Sequence, residues 1–166
     1  MDAPNLPALT IRVAEPADLP AIGRLGALLV RLHYDFDPKR FIPEAPNTAE
    51  RYAAFLGTQL RVSTVAVLVA ERDRVLLGYT YASVEGYDYM TLRGPAGVLN
   101  DIVVDPAYRG EGVGRALLDA TLKALANLGA PRVVLSTAEQ NQAAQHLFAR
   151  AGFRRTMIEM TRELAD

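Results

Sequence analysis

The stretch Tyr108-Arg109-Gly110-Glu111-Gly112-Val113-Gly114-Arg115 lies between the apolar run Ile102-Val103-Val104 and a helical pattern from Val113 to Leu128, and it decides how this chain is read. A strand that turns sharply through glycines into a helix leaves the first N–H groups of that helix unpaired, at the positive end of its dipole. Such a junction binds anions, phosphate above all. Gly110 and Gly112 let the turn take backbone angles closed to other residues and let a phosphate approach the main chain, while Gly114 permits close packing in the first helical turn. Arg109 and Arg115 add positive charge. A Gly-x-Gly-x-Gly stretch alone is equally a surface turn, so its surroundings must discriminate.

The chain has 166 residues, 50% hydrophobic and 22% charged, a composition that supports one globular domain over residues 1–166 and excludes disordered and fibrous classes. A formal net charge of -1 offers no bulk attraction to nucleic acid or to an anionic membrane, so phosphate binding has to come from a local site. No apolar stretch reaches about 18 residues, and Met1-Asp2-Ala3-Pro4 lacks the basic start of a signal peptide, so a cytoplasmic location is expected. With no cysteine there is no disulfide and no thiolate nucleophile; with only His33 and His146, no metal site is expected.

Leu9 to Val13 alternates as a half-buried strand does, and Pro16-Ala17-Asp18 opens a helix whose apolar face is Leu19, Ile22, Leu25, Leu29 and Leu32. Gly23 and Gly26 inside that helix point to close packing against another element. Tyr34 to Pro46 is broken by prolines yet carries Phe36, Phe41 and Ile42, which suits a folded loop over a cleft. A second helix follows, capped by Asn47 with Glu50 three residues on. Val65 to Ala70 and Val75 to Glu85 form an antiparallel hairpin, Gly86 to Gly97 is irregular, and Val98 to Val104 is a further strand. After the glycine turn and its helix come a strand at Val133-Val134-Leu135, a helix from Asn141 to Arg150 stopped by Gly152, and an alternating strand from Phe153 to Thr161. That order implies a mixed α/β sheet with the glycine turn near its middle.

At this point the sequence resembles the GCN5-related N-acetyltransferase (GNAT) superfamily, closely over Leu99 to Phe153 and by element order elsewhere. The family's signature Arg/Gln-x-x-Gly-x-Gly/Ala is met by Arg109 to Gly114, and its second motif by Asn141, Ala144, Leu147, Phe148, Gly152 and Phe153. The resemblance implies a three-layer fold with about four helices around a mixed, mostly antiparallel sheet of six to seven strands, splayed at the cofactor site. It implies acetyl-coenzyme A as cofactor, with the pyrophosphate on the backbone of Gly110, Glu111, Gly112, Val113, Gly114 and Arg115, beside Arg109. The pantetheine arm then adds to the strand edge at Ile102, Val103 and Val104, since its amides pair as a strand does. Asn141 is implied as a hydrogen-bond partner of the cofactor; it is equally a helix N-cap. A dinucleotide-binding fold fits poorly, because the spacing is not Gly-x-Gly-x-x-Gly and no βαβ order precedes it.

The implied reaction is transfer of an acetyl group to a primary amine of a small molecule or peptide, by direct attack in a ternary complex, with a homodimer as the family expectation. A coenzyme A-binding sensor without catalysis is the alternative. It is favoured by two departures: Phe148 stands where many relatives have a tyrosine acid, and Asn100 where some have a glutamate. Phe148 keeps its place in the cofactor motif but cannot protonate a leaving thiolate. An alkylammonium must lose a proton before it can attack, and Asp101 and Glu85 are the two candidate acceptors. Strand alternation puts Asp101 on the face opposite Asn100 unless a bulge intervenes. His33 at the end of the first helix, Tyr34, Asp35 and Phe36 in the irregular stretch after it, and Tyr87 and Tyr89 in the second irregular stretch are the candidate acceptor walls.

Overall fold

Strands that are apolar on both faces need cover on both sides, and the helices provide it. The computed structural model describes residues 8–164, with five strands and four helices in the order β1 (Thr10–Val13), α1 (Leu19–Phe36), α2 (Thr48–Gln59), β2 (Val65–Arg72), β3 (Val75–Glu85), β4 (Ala96–Val104), α3 (Val113–Asn127), β5 (Val133–Leu135) and α4 (Gln142–Arg150). The strands lie side by side in sequence order, antiparallel except for the parallel pair β4–β5. On one face Ile22 and Leu25 of α1 and Leu56 of α2 pack on Val67, Val69, Tyr79 and Val103. On the other, Leu118 and Leu125 of α3 and Phe148 of α4 pack on Ala82 and Leu99. Among the described residues no helix is long and apolar enough to cross a membrane.

Close packing explains the two glycines inside α1. A Cβ at Gly23 would overlap the Ala49 carbonyl oxygen, and one at Gly26 would overlap the ring of Tyr52, so these glycines seat α2 directly against α1. Three sequence expectations are corrected. Asn47 precedes α2 but its side chain makes no capping bond; instead the Thr48 hydroxyl accepts the Ala45 N–H at 2.8 Å. Tyr34, Asp35 and Phe36 are the last turn of α1 rather than loop. Among the described residues the segment Phe153 to Thr161 pairs with no strand, which leaves five strands there where six to seven were expected. Phe153 folds back onto α4, its N–H donating to the Phe148 carbonyl and its ring meeting Phe148 edge-on, while Glu159 is ion-paired to Arg40. An alternating pattern becomes a strand only where a ladder partner is in reach.

The edge of the sheet is tied to α1 by charge. Asp18, 6% exposed, accepts two hydrogen bonds from the Arg12 guanidinium at 2.7 and 2.9 Å and one from the Glu15 N–H at 2.8 Å, and Arg12 also reaches Glu71 on β2. The Arg12 contact holds the Asp18 carboxyl below its ordinary value, so the stabilisation is complete above the unfolded carboxylate value of about 3.9 and is lost as pH falls through the lower folded value. Asp18→Ala should therefore destabilise the protein by about 1.5–3 kcal/mol at pH 7, the contribution of hydrogen bonds to a charged group, because Arg12 keeps Glu71 as a partner. Urea unfolding at pH 7 checks this, and the difference from wild type should narrow only in strong acid.

Candidate functional site

The short length of β5 opens the sheet. Leu99 pairs with Leu135, where β5 ends, so the edge of β4 from Asn100 to Val104 has no strand beside it among the described residues. Backbone hydrogen-bond groups on such an edge are available to an extended amide-bearing ligand. The same strand runs through Asp105 and a short helical turn at Pro106–Tyr108 into the glycine turn. Gly110 and Gly112 both have φ of +83°, in the left-handed region, and Gly112 is the residue from which α3 starts. No atom outside the turn lies within 4 Å of the place a Cβ would take at either position, so the space over the turn is open to a ligand. Successive outward N–H groups at a helix start form an anion-binding concavity. The open edge and the open, positively polarised turn fit the pantetheine arm and the phosphates of coenzyme A. At Gly114 a Cβ would sit in ordinary contact, 3.5 Å from Leu147 and 3.6 Å from Val104, so close packing does not require glycine there.

The side chains around the turn complete the picture. Glu111 places a carboxylate beside the anion site, but Arg72 at the end of β2 draws it into an ion pair at 2.6 Å, which cancels its repulsion. Arg109 is exposed and its Nε donates to the Val104 carbonyl at 3.3 Å. Arg115 shares its guanidinium with Asp119 one turn on, at 2.8 Å. Asn141 caps α4 by accepting the Ala144 N–H through Oδ1 at 3.2 Å, and its Nδ2 makes no hydrogen bond among the described residues. The cap therefore leaves a donor free for a ligand. Phe148, 6% exposed, is buried against Phe153.

The candidate proton acceptors are separated by a bulge that alternation alone does not locate. Asp101 pairs with Tyr81 and Leu99 with Ala82, so Asn100 is the extra residue on β4. That insertion reverses the parity of the strand. Leu99 and Ile102 consequently face α3, whereas Asp101 and Val103 face α1 and α2. Asp101 lands opposite Tyr81 and within hydrogen-bond reach of Tyr79 on β3, close enough to Tyr52 of α2 and His33 of α1 for their charges to be felt. The Tyr79 hydroxyl donates to Asp101 Oδ2 at 2.9 Å. Burial pushes the Asp101 carboxyl above its ordinary value, opposed by the Tyr79 hydrogen bond and by His33. Burial also pushes the Tyr52 phenol up to about 12 and lifts those of Tyr79 and Tyr81, so all three stay neutral at physiological pH. The spacing of two between Tyr79 and Tyr81 shows in the sequence that they share a face, but not what shares it with them.

Glu85 stands apart. It is exposed, ion-paired to Arg93 at 2.8 Å and reached by the Ser83 hydroxyl at 3.2 Å. Of the expected acceptor walls, His33 is the one whose charge is felt at Asp101. Its Nδ1 lies 2.8 Å from the Leu29 carbonyl, which can only accept, so Nδ1 carries the hydrogen and Nε2 is left as an acceptor in the neutral ring. Phe41 packs edge-on against the His33 ring at 4.9 Å and Phe36 at 6.1 Å. Tyr34 is partly buried and Asp35 exposed on the same turn. Tyr87 and Tyr89 stack on each other 6.0 Å apart, 70% and 80% exposed, in the β3–β4 connection, and Asp88 between them accepts the Met90 and Thr91 N–H groups of its own turn.

Comparison with known proteins agrees with this arrangement. The acetyltransferase (GNAT) family matches residues 29–153. The chain is similar to mycothiol acetyltransferases, at 36% identity over 56% of its length to that of Cellulomonas flavigena and 30% over 87% to that of a Nocardioides strain, and it spans 28% and 50% of those two proteins. An uncharacterised N-acetyltransferase of Mycobacterium bovis is 31% identical over 67% of this chain and 64% of its own. Among solved structures, an aminoglycoside N-acetyltransferase in complex with coenzyme A superposes with a TM-score of 0.71 at 21% identity, covering 98% of this chain and 99% of that one. A Trypanosoma brucei acetyltransferase superposes at 0.67 and 23% identity, covering 95% of this chain and 100% of the other. The signature turn, the forked sheet and the family match over three quarters of the sequence together establish that this chain belongs to the GNAT acetyltransferase family, whose acyl donor is acetyl-coenzyme A.

Proposed function

We propose that the chain is an N-acetyltransferase that moves an acetyl group from acetyl-coenzyme A to a primary amine by direct attack in a ternary complex, with Asp101 as the proton acceptor. The observation that carries this reading is the bulge at Asn100, which puts Asp101 on the face opposite Leu99, beside the phenols of Tyr79 and Tyr81, on the strand whose far edge is open and whose end is the glycine turn. When bound, the cofactor supplies an acyl thioester. The residues of the turn and of the β4 edge hold it; those around Asp101 receive the amine. An alkylammonium is nearly all protonated at pH 7, because its pKa is about 10.4. A carboxylate flanked by phenol and imidazole rings attracts that cation by charge and by the ring faces, and then takes its proton. Glu85 is the weaker candidate because Arg93 already neutralises it. The absence of cysteine removes a thiol-bound acyl intermediate and leaves direct attack. With no tyrosine at position 148, water supplies the proton to the departing thiolate; for a thiol of pKa about 8.5 the penalty at pH 7 is about 2 kcal/mol, small beside a whole barrier.

Relatives named for mycothiol and a structural neighbour named for aminoglycosides put acceptors of those two kinds first in a screen, followed by polyamines, amino acids and peptide N-termini. Calorimetry should show saturable binding of acetyl-coenzyme A, and release of free thiol should accompany one class of amine. Absence of binding overturns the reading. Binding without thiol release across the panel assigns the chain instead to coenzyme A sensing.

A further inference from the structure

Among the described residues Tyr79 is the largest of the fully buried side chains, yet it carries a hydroxyl, and the hydroxyl has a single partner there. It lies on β3 opposite Val103, while Asp101 lies opposite Tyr81, so the hydrogen bond from Tyr79 Oη to Asp101 Oδ2 runs diagonally across the ladder at 2.9 Å. Oδ1 of Asp101 makes no hydrogen bond among the described residues. The groups facing this carboxylate come from three elements: Tyr79 and Tyr81 from β3, Tyr52 from α2 and His33 from α1. Of these only Tyr79 donates a hydrogen bond to it. Tyr52 keeps its place because Gly26 leaves room for its ring, and Tyr81 is braced edge-on by Phe55 at 5.7 Å.

We propose that Tyr79 is a positioning residue for acetyl transfer, its phenol holding one oxygen of Asp101 so that the other faces the acceptor amine. This rests on the reading of Asp101 as the proton acceptor. A carboxylate placed among aromatic rings is driven toward its neutral form by loss of water, and a neutral acid cannot take a proton. A buried phenol that stays neutral opposes this, because its O–H bonds more strongly to an anion than to a protonated acid. It also fixes the rotation of the carboxyl group, since a donor on Oδ2 leaves the lone pairs of Oδ1 for the substrate. No proton needs to leave Tyr79 itself, so its role is distinct from that of an acid catalyst.

The test uses the free protein and the turning-over enzyme together. In wild type, the carbon-13 resonance of the Asp101 carboxyl should titrate together with the ring Cζ resonance of Tyr79, at one shared midpoint. Tyr79→Phe should raise the Asp101 midpoint, and the acid limb of kcat/KM, measured with the best amine of the screen, should move up with it. Activity should then fall about tenfold on the acid side and stay within about twofold of wild type on the alkaline plateau, about one unit of pH displacement being what a hydrogen bond to a charged group contributes. Tyr52→Phe and Tyr81→Phe, which remove phenols that make no bond to Asp101, should leave the midpoint near that of wild type. An unchanged Asp101 midpoint in Tyr79→Phe, or a Tyr79 ring in wild type that ignores the carboxyl titration, overturns the proposal; the wild-type measurement suffices if the variant does not fold. A raised midpoint with an unmoved acid limb overturns instead the assignment of Asp101 as proton acceptor. A loss of activity equal at every pH reduces Tyr79 to packing and also overturns the proposal.

Discussion

Asp101→Asn is expected to lower kcat/KM at pH 7 by about 10²–10⁴, the range that a positioned general base contributes, equivalent to about 3–5 kcal/mol of the barrier. The amide keeps the size and shape of the side chain and can still accept from Tyr79, so the fold and the affinity for acetyl-coenzyme A should change little. What disappears is the anion that attracts the amine and takes its proton. The pH profile separates this from a packing effect. In wild type the carboxyl sits above its ordinary value because of burial, and only the ionised form works, so kcat/KM should fall as pH drops through that raised value. Asp101→Asn should lack this limb. Glu85→Gln, measured alongside, should lose less than about tenfold, because Arg93 already satisfies that carboxylate outside the aromatic ring around Asp101. An Asp101→Asn variant within about threefold of wild type would assign proton removal to solvent.

Gly112→Val should abolish measurable binding of acetyl-coenzyme A, a loss greater than about a hundredfold, while the protein stays folded. Two effects act at one position. The left-handed φ of +83° is unfavourable for a branched residue, by about 1–3 kcal/mol, so the turn that presents the α3 N–H groups is strained. The side chain would also project into space that no protein atom occupies, which is where an anion must lie to meet those groups. Losing two or more charge-assisted hydrogen bonds, each contributing about 1.5–3 kcal/mol, accounts for the size of the effect. Because no protein atom clashes with the new side chain, thermal unfolding should show at most a modest decrease in stability. Gly114→Ala is the contrast, since its Cβ would make only ordinary contacts and its φ is not in the left-handed region. Calorimetry on both variants checks the difference, and full binding by Gly112→Val would move the phosphate site elsewhere.

Much of the molecule is legible from local patterns because those patterns act over a few residues. The helical spacing of Leu19, Ile22, Leu25 and Leu29, the paired glycines of α1, the apolar hairpin strands and the N-cap at Asn141 all appear in the structure. The glycine turn is equally local: positive φ at Gly110 and Gly112 and a helix starting directly after them depend on neighbouring residues alone. Capping at Asn47 failed as an expectation because its backbone, at φ -105° and ψ 18°, is not extended as a capping residue's is, and its side chain makes no bond to the first turn. The expected strand from Phe153 to Thr161 failed for a different reason. Alternation states which faces a strand would show, but the ladder partner must come from elsewhere in the chain, and here Phe148 and Arg40 hold both halves of the segment away from one.

The functional side chains divide along the same line. Local patterns in the sequence already gave away the order of elements from β1 to α4, the glycine turn and the carboxylate on the strand leading into it. That Asp101 faces α1 and α2 could not be read before the chain folds, because it depends on a bulge at Asn100 whose position is set by the pairing of β4 with β3. The same holds for Glu85 being taken up by Arg93, for Glu111 being neutralised by Arg72 across 39 residues of chain, and for the Tyr79 hydroxyl donating to Asp101. A helical or strand period is a property of the backbone and repeats along the sequence. The protonation and aim of Asp101 depend on desolvation and on partners from three elements, and those exist only once the layers have packed.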